Sequence, residues 1–214
     1  MTYDALSFLG KAIRMRFRLV SILAAACVLT AGCTGETGGK TEPSIPNSDT
    51  TALPRSGAPK VKSPLKSEML ANEPCSAATD TEIEGLAGKV KSSKVEQIAG
   101  GPTCSWILAD LAGSINGGLN VSQPEGLSHL YSLKQQGSGV TTFKPLPDIA
   151  GYPAVVFANG GEGAGNCNLA VGIRDDMMYT VVTALFDDSP AYNDPCGTSV
   201  KLAELAIQRL KAVP

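Results

Sequence analysis

The chain has a single histidine and no pair of cysteines in the Cys-x-x-Cys spacing. One histidine excludes metal sites that need several imidazole ligands, and the missing Cys-x-x-Cys pairs argue against a zinc site built from thiolates. The sequence also lacks the Gly-x-Ser-x-Gly motif of hydrolases, and its glycine-rich stretch at residues 160–165 is not followed by the Lys-Ser/Thr of a P-loop. These absences remove common signatures of catalysis, and we expect no enzyme activity, no cofactor and no metal.

The apolar run at residues 19–31 has only 13 residues, whereas a membrane-spanning helix needs about 20. Basic residues precede the run, namely Lys11, Arg14, Arg16 and Arg18, and the small residues Ala31 and Gly32 come just before Cys33. This order of basic, apolar and small residues is typical of a secretory signal that is removed. We therefore predict a lipoprotein signal peptide over residues 1–32, with translation starting at Met1 or Met15.

Cys33 is the predicted site of lipid attachment. The stretch Leu29-Thr30-Ala31-Gly32-Cys33 resembles the lipobox of bacterial lipoproteins, although Thr30 stands where Leu or Val is commoner. Two or more acyl chains, such as a diacylglyceryl group and a palmitate, would anchor the protein firmly, because one chain alone binds only marginally. The alternatives are a cleaved but unlipidated secreted protein and a weaker cleavage site before Cys27. We expect the mature protein at the outer face of the cell membrane.

Residues 33–71 comprise the lipidated Cys33 and a predicted disordered linker. From Thr34 to Ala71 the chain is rich in Gly, Thr, Ser, Pro and Lys and almost free of large apolar side chains. Such a segment buries too little surface to offset the entropy of ordering it. As a random coil it would span roughly 35 Å and lift the folded part off the membrane.

Residues 72–214 are long enough to form one globular domain. They contain nine Lys and Arg against fifteen Asp and Glu, which gives a net charge of −6. Nucleic-acid binding requires a basic surface, so the composition argues against it. The expected partners are the membrane, through the lipid anchor, and an unknown envelope protein, glycan or small ligand. We expect a non-catalytic binding or accessory module of the cell envelope, and the alternative is a carrier of a lipid or other apolar ligand.

Four cysteines remain for the domain, namely Cys75, Cys104, Cys167 and Cys196. An even number in an exported, oxidising compartment predicts two disulfides, for which three pairings are possible. Both Cys75 to Cys104 and Cys167 to Cys196 span 29 residues, and a strand should return beside the one that Cys167 begins. This geometry favours Cys167–Cys196 and leaves Cys75–Cys104.

The residue pattern predicts an α+β fold. Helices are indicated by the capping box Thr79-x-x-Glu82, by the apolar stripe at 126–136, and by Asp194-Pro195 ahead of a Leu/Ala-rich segment. Strands are indicated at 104–111, 119–122, 140–146, 152–158, 167–174 and 178–186, with hairpin turns at Asn116-Gly117 and Asp175-Asp176. Cys104 and Cys167 each open a hairpin, 63 residues apart, which indicates a weak internal repeat of a helix followed by a β-meander. We expect one or more antiparallel sheets with helices packed on one face.

Five short motifs follow one another along residues 74–196. They are Pro74-Cys75 before the capping box, Cys104-x-Trp106, Gly151-Tyr152-Pro153-Ala154-Val155, Cys167-x-Leu169-x-Val171-Gly172 and Asp194-Pro195-Cys196. Together they resemble an actinomycete family of exported cell-envelope lipoproteins of unknown function, over nearly all of residues 72–214. The resemblance implies a cell-envelope setting and two disulfides, and it implies no chemistry.

The glycine-rich stretch Gly160-Gly161-Glu162-Gly163-Ala164-Gly165 fits neither a dinucleotide fingerprint nor a P-loop, and it predicts a mobile loop between two strands. Loops on a rigid scaffold often carry recognition. We therefore predict a binding surface at Asn159, Gly161, Glu162 and Gly163.

The remaining candidates favour structural roles. His129 with Ser138 is a weak candidate for a hydrolase pair, and a surface histidine is the simpler interpretation. The acidic clusters at Asp175-Asp176 and at Asp187, Asp188 and Asp194 match no calcium-binding loop, and turn or cap roles explain them. Trp106, two places after a cysteine, is predicted to pack in the core.

Overall fold

Seven antiparallel strands form one sheet in the computed structural model, which describes residues 52–213. The strands are β1 Val90–Ile98, β2 Gly101–Leu108, β3 Gly113–Asn120, β4 Thr142–Ile149, β5 Tyr152–Ala158, β6 Asn166–Arg174 and β7 Met177–Leu185. Their spatial order is β1-β2-β3-β7-β6-β5-β4. Two meanders, β1 to β3 and β4 to β7, therefore meet where β3 pairs with β7.

Helices cover both faces of this sheet. They are α1 Glu68–Asn72, α2 Asp80–Ala87, α3 Leu127–Gln136 and α4 Pro195–Ala212, with a 3₁₀ helix at Pro74–Ala77. The larger apolar core lies on the face covered by α1, α2, α4 and the 3₁₀ helix, and Trp106, Tyr179 and Leu202 are fully buried there. On the other face, Leu127 and Leu130 of α3 pack against Val155, Ala170 and Met178.

Alternation along β6 shows how the two faces arise. Leu169 and Val171 belong to the larger core, whereas Ala170 between them faces α3. Successive strand residues point to opposite sides, so a strand buried throughout needs cover on both. The expectation of helices on one face therefore does not hold for α3. The predicted internal repeat is not supported, because Cys104 lies in the middle of β2 and Cys167 near the start of β6.

Residues 52–71, predicted to be a disordered linker, instead lie against the domain. The amide of Val61 donates to Asp175 Oδ1 at 2.8 Å, and the Tyr152 hydroxyl donates to the carbonyl of Ser63 at 2.7 Å. Val61 and Leu70 are buried in the main core. Average composition missed this segment because polar residues outnumber its few large apolar ones, most of which nevertheless pack in or against the core. The rest of the predicted linker, the signal peptide and Cys33 lie outside the described residues.

The hairpin of β2 and β3 turns earlier than predicted. The amide of Ala112 donates to the carbonyl of Ala109 at 3.0 Å, and Asp110 and Leu111 between them have φ of 52° and 61°. Two consecutive positive φ values are those of a type I′ turn. Gly117, predicted to lie in this turn, is inside β3 instead, where a Cβ atom would lie 2.4 Å from Tyr179 Oη. The glycine provides room for the tyrosine ring.

Both predicted helix caps are confirmed. Thr79 and Glu82 form the reciprocal capping box of α2, and the Asp194 side chain accepts from the amide of Gly197 at the start of α4. Among the described residues, no helix is long and apolar enough to cross a membrane.

Candidate functional site

A pocket of about 210 Å³ lies beneath the glycine-rich loop that joins β5 to β6. We call it the loop pocket. Its lining residues are Gly161, Glu162 and Gly163 of the loop, Thr142 of β4, Asn166 and Asn168 of β6, and the Cys167–Cys196 disulfide at the start of α4. The apolar residues Val156, Phe157, Ala158 and Pro195 complete the lining, and most of its surface is apolar. Loop and strands together thus form a concave, mainly apolar surface with a carboxylate and a few other hydrogen-bonding groups.

Glu162 is held at this pocket by two threonine hydroxyl groups. Thr142 Oγ1 donates to Glu162 Oε1 at 2.5 Å. The Thr141 hydroxyl shares its one proton between Glu162 Oε1 at 2.9 Å and the carbonyl of Ala158 at 3.1 Å, and it accepts from the amide of Gly160 at 3.0 Å. Hydrogen bonds from the Thr142 hydroxyl above all, then from the amide of Glu162 itself and from Thr141, hold the pKa of the Glu162 carboxyl below its ordinary value. The loop therefore presents a carboxylate that is already oriented.

We expect Thr142→Val to raise the pKa of Glu162 toward its ordinary value, because the largest stabilising hydrogen bond is lost. The carboxylate form is favoured in the folded state, so its contribution to stability is present above the ordinary pKa. That contribution is lost as the pH falls through the lowered value. Carboxyl ¹³C NMR titration of the two proteins measures the change.

Thr180→Val is the matched control for this titration. The Thr180 hydroxyl donates to the carbonyl of Gly118 on another part of the sheet, so its loss should leave Glu162 unchanged. An unchanged Glu162 pKa in Thr142→Val would show that the hydroxyl does not hold the carboxylate in solution.

The base of the loop is fixed, whereas its tip is open. Gly165 donates its amide to the carbonyl of Tyr192 at 2.7 Å, and its carbonyl accepts from the amide of Leu185 at 2.9 Å. A Cβ atom at Gly160, Gly161 or Gly163 would meet nothing within 4 Å. The tip can thus contact a ligand without displacing protein atoms.

Three of the four predicted binding residues line the loop pocket: Gly161, Glu162 and Gly163. Asn159 is exposed and does not line it. Sequence reasoning missed Thr142, Asn166 and Asn168, which come to the loop through strand pairing. The register that places Thr142 opposite Ala158 has no local sequence signal.

Both disulfides have the predicted pairing. Cys75–Cys104 joins the 3₁₀ helix to β2, and Cys167–Cys196 joins β6 to the start of α4, with Cα–Cα distances of 4.8 Å and 5.2 Å. The second bridge is also a wall of the loop pocket. Trp106 is fully buried near the first bridge, as the sequence predicts.

Comparison with known proteins gives a family without an assigned activity. A family described as "Protein of unknown function (DUF3558)" matches residues 28–209. The chain belongs to the DUF3558 family. No curated protein and no solved structure matches the chain significantly.

The DUF3558 match covers every strand and the loop pocket, and it begins before Cys33. The predicted membership of a family of unknown function is therefore confirmed. An actinomycete source and a lipoprotein anchor remain predictions.

The DUF3558 domain has a second concave surface, an apolar groove of about 520 Å³ beside the β2–β3 turn. Ile107 and Ala184 line it, and Leu111 and Phe186, which are 84% and 58% exposed, lie at its rim. The amide of Phe186 donates to the carbonyl of Ala112 at 3.0 Å, which fixes Phe186 beside the turn. A leucine with positive φ is a strained choice, and strained residues often occur at functional sites.

The other candidate functional residues of the DUF3558 domain either make structural contacts or lack a catalytic partner. Asp175 accepts from the amide of Val61, and Asp176 pairs with Arg174 at 2.6 Å. His129 lines a third groove, of about 270 Å³, between α3 and the ends of the sheet, and Ser138 does not line it. Within residues 52–213, no group of three or more His, Cys, Asp or Glu could hold a metal ion.

Proposed function

We propose that this DUF3558 protein is tethered to the outer face of the cell membrane by lipid on Cys33. Its domain would be a non-catalytic binding module of the cell envelope. The basic, apolar and small-residue order of the leader supports the anchor, and the family match includes Cys33. The two disulfides support an oxidising, extracytoplasmic compartment, where such bonds persist.

The orientation of Glu162 supports a binding role most directly. Its carboxylate is fixed by Thr142 and Thr141 before any ligand arrives, so little side-chain entropy is lost on binding. Among the residues that line the loop pocket, Glu162 is the one carboxylate, and no histidine or lysine stands beside it as an acid–base partner. The residues that line the loop pocket therefore suit ligand recognition better than proton transfer.

The chemistry of the loop pocket restricts the class of ligand. A carboxylate accepts hydrogen bonds, and the amide of Asn168 can both accept and donate them, whereas the amide of Asn166 already donates to the carbonyl of Ala164 at 3.2 Å. We therefore propose a ligand that carries hydroxyl, amide or ammonium donors, such as part of a glycan or of an envelope peptide.

We expect the protein extracted from membranes to carry acyl chains on Cys33 and to release a polar ligand when it is denatured. Intact mass spectrometry measures the acylation, and native mass spectrometry measures the bound ligand. Glu162→Gln should abolish ligand retention because the carboxylate is lost, whereas Lys144→Gln, a change at an exposed site outside the pocket, should leave it intact.

Two results would contradict this proposal. The first is a protein found wholly in the culture fluid, without lipid and with a terminus other than Cys33. The second is reproducible turnover of a substrate that Glu162→Gln abolishes.

The apolar groove favours a second candidate function, the transport of a lipid or other apolar ligand. Its exposed Leu111 and Phe186 are the residues that an acyl chain would contact. In the same native mass spectra, a bound lipid that survives Glu162→Gln and is lost in Leu111→Asn would favour this carrier. Asn is chosen because it tolerates the positive φ of Leu111.

A further inference from the structure

The two edges of the sheet differ in how they are protected. β4, at one edge, contains Pro145 and Pro147 and a register shift between Leu146 and Ile149. Prolines and bulges are devices that prevent an edge from pairing with another chain. β1, at the other edge, has nine residues without proline, most of them exposed, and its one register shift lies at its start, between Val90 and Ser92. From Ser92 to Ile98 the β1 edge has neither proline nor a bulge and is therefore open to a further strand.

Exposed apolar side chains concentrate on the same half of the sheet. The five large ones among the described residues are Val95, Ile98, Leu111, Val121 and Phe186. All five lie on or at the ends of β1, β2, β3 and β7, and none lies on β4, β5 or β6. Ile98 and Val121 lie at one end of these strands and Leu111 and Phe186 at the other, while Val95 lies on the opposite face of β1 from Ile98. Exposed apolar side chains are thus a feature of this half of the sheet, as is common where a protein associates with another surface.

We propose that two copies of the chain associate through antiparallel pairing of β1 with β1, about a twofold axis at Val95. Lys94 Nζ lies 2.8 Å from Glu96 Oε1 within one copy. In this register Lys94 of each copy lies opposite Glu96 of the other, so the two pairs come together as four alternating charges. Moving the axis to Lys94 or to Glu96 would place like charges directly opposite each other. The charges of β1 thus select one register and make the edge complementary to itself.

The same register extends the apolar groove. Ser92 pairs with Ile107, which pairs with Ser114, which pairs with Ala184, so these four side chains form one row across the face of the sheet. Ile98 of the second copy would lie opposite Ser92 and add an apolar side chain to that row. Strand spacing places it about 10 Å from Ile107, across the small Ser92 side chain. On the other face, Val95 of one copy would contact Val95 of the second.

Cysteine cross-linking of the full-length protein in its own cells tests the pairing. Val95→Cys should give a covalent dimer on non-reducing gels, because residues opposite each other have Cβ atoms about 5 Å apart. Ile98→Cys alone should not, since the two copies of residue 98 would lie roughly 20 Å apart along the strands. Ser92→Cys and Ile98→Cys expressed together should cross-link with each other. Peptide mapping of the same samples checks that both native disulfides remain.

Charge reversal provides a second, independent measurement. In the Val95→Cys background, Lys94→Glu should lower the yield of dimer about tenfold, and the swap Lys94→Glu with Glu96→Lys should restore it. Absence of cross-linking, equal cross-linking of Ile98→Cys alone, or cross-linking to a different protein would each overturn association of two copies. The last result would identify β1 as the edge that receives an extended segment of another protein.

Discussion

Removal of the Cys75–Cys104 bridge is expected to lower the free energy of unfolding by roughly 3–4 kcal/mol. The bridge closes a loop with a sequence separation of 29, and it fixes the 3₁₀ helix to β2 at the centre of the larger core. Cys104 is fully buried, so Cys75→Ser with Cys104→Ala removes the bond without burying a new hydroxyl. Trp106 is the sole tryptophan and is fully buried, which makes its fluorescence in a urea titration a direct measure of unfolding.

The Cys167–Cys196 bridge is the matched control, because its sequence separation is also 29. If a disulfide stabilises the protein mainly by restricting the unfolded chain, Cys167→Ala with Cys196→Ser should lower the free energy of unfolding by the same amount as removal of Cys75–Cys104. Clearly unequal losses would show that native packing around each bridge decides the effect. A loss below about 1 kcal/mol for both pairs would contradict a structural role for the disulfides.

Local sequence signals predicted the caps, the later strands and the disulfides. The Thr79 and Glu82 capping box is complete within four residues, so its geometry depends on nothing distant. The disulfide pairing followed from equal spacing and from one hairpin. β1 could not be found in the same way, because an edge strand exposed on both faces has no alternation of apolar and polar residues.

In the candidate site, too, some features could be predicted from neighbouring residues, whereas others depend on residues that are distant in sequence. The glycines of residues 160–165 indicate a loop by composition alone, and that prediction located Glu162. The hydroxyl that orients Glu162 belongs to Thr142, which is brought there by the pairing of β4 with β5. Likewise, the Asn116-Gly117 pair indicates a turn locally, yet the need for space beside Tyr179 places Gly117 within a strand. Tertiary packing decided both cases.

Gly165→Ala is expected to lower the free energy of unfolding by about 3 kcal/mol, well beyond the effect of Gly161→Ala. The two glycines have nearly the same φ, 79° and 76°, so replacement imposes a similar backbone strain of roughly 1 kcal/mol at each. The two positions differ in the room they leave for a side chain. A Cβ atom at Gly165 would lie 2.0 Å from the carbonyl oxygen of Leu185, whereas a Cβ atom at Gly161 would have no neighbouring atom within 4 Å.

The difference between these two variants therefore isolates the close approach of the loop base to β7. Urea titration followed by Trp106 fluorescence measures both free energies, and hydrogen exchange at the Leu185 amide reports the contact itself, since that amide donates to the carbonyl of Gly165. Faster exchange of Leu185 is expected in Gly165→Ala and not in Gly161→Ala. Equal destabilisation by the two changes would mean that the loop base moves freely away from β7, and the carboxylate of Glu162 would then lack the rigid support on which ligand binding depends.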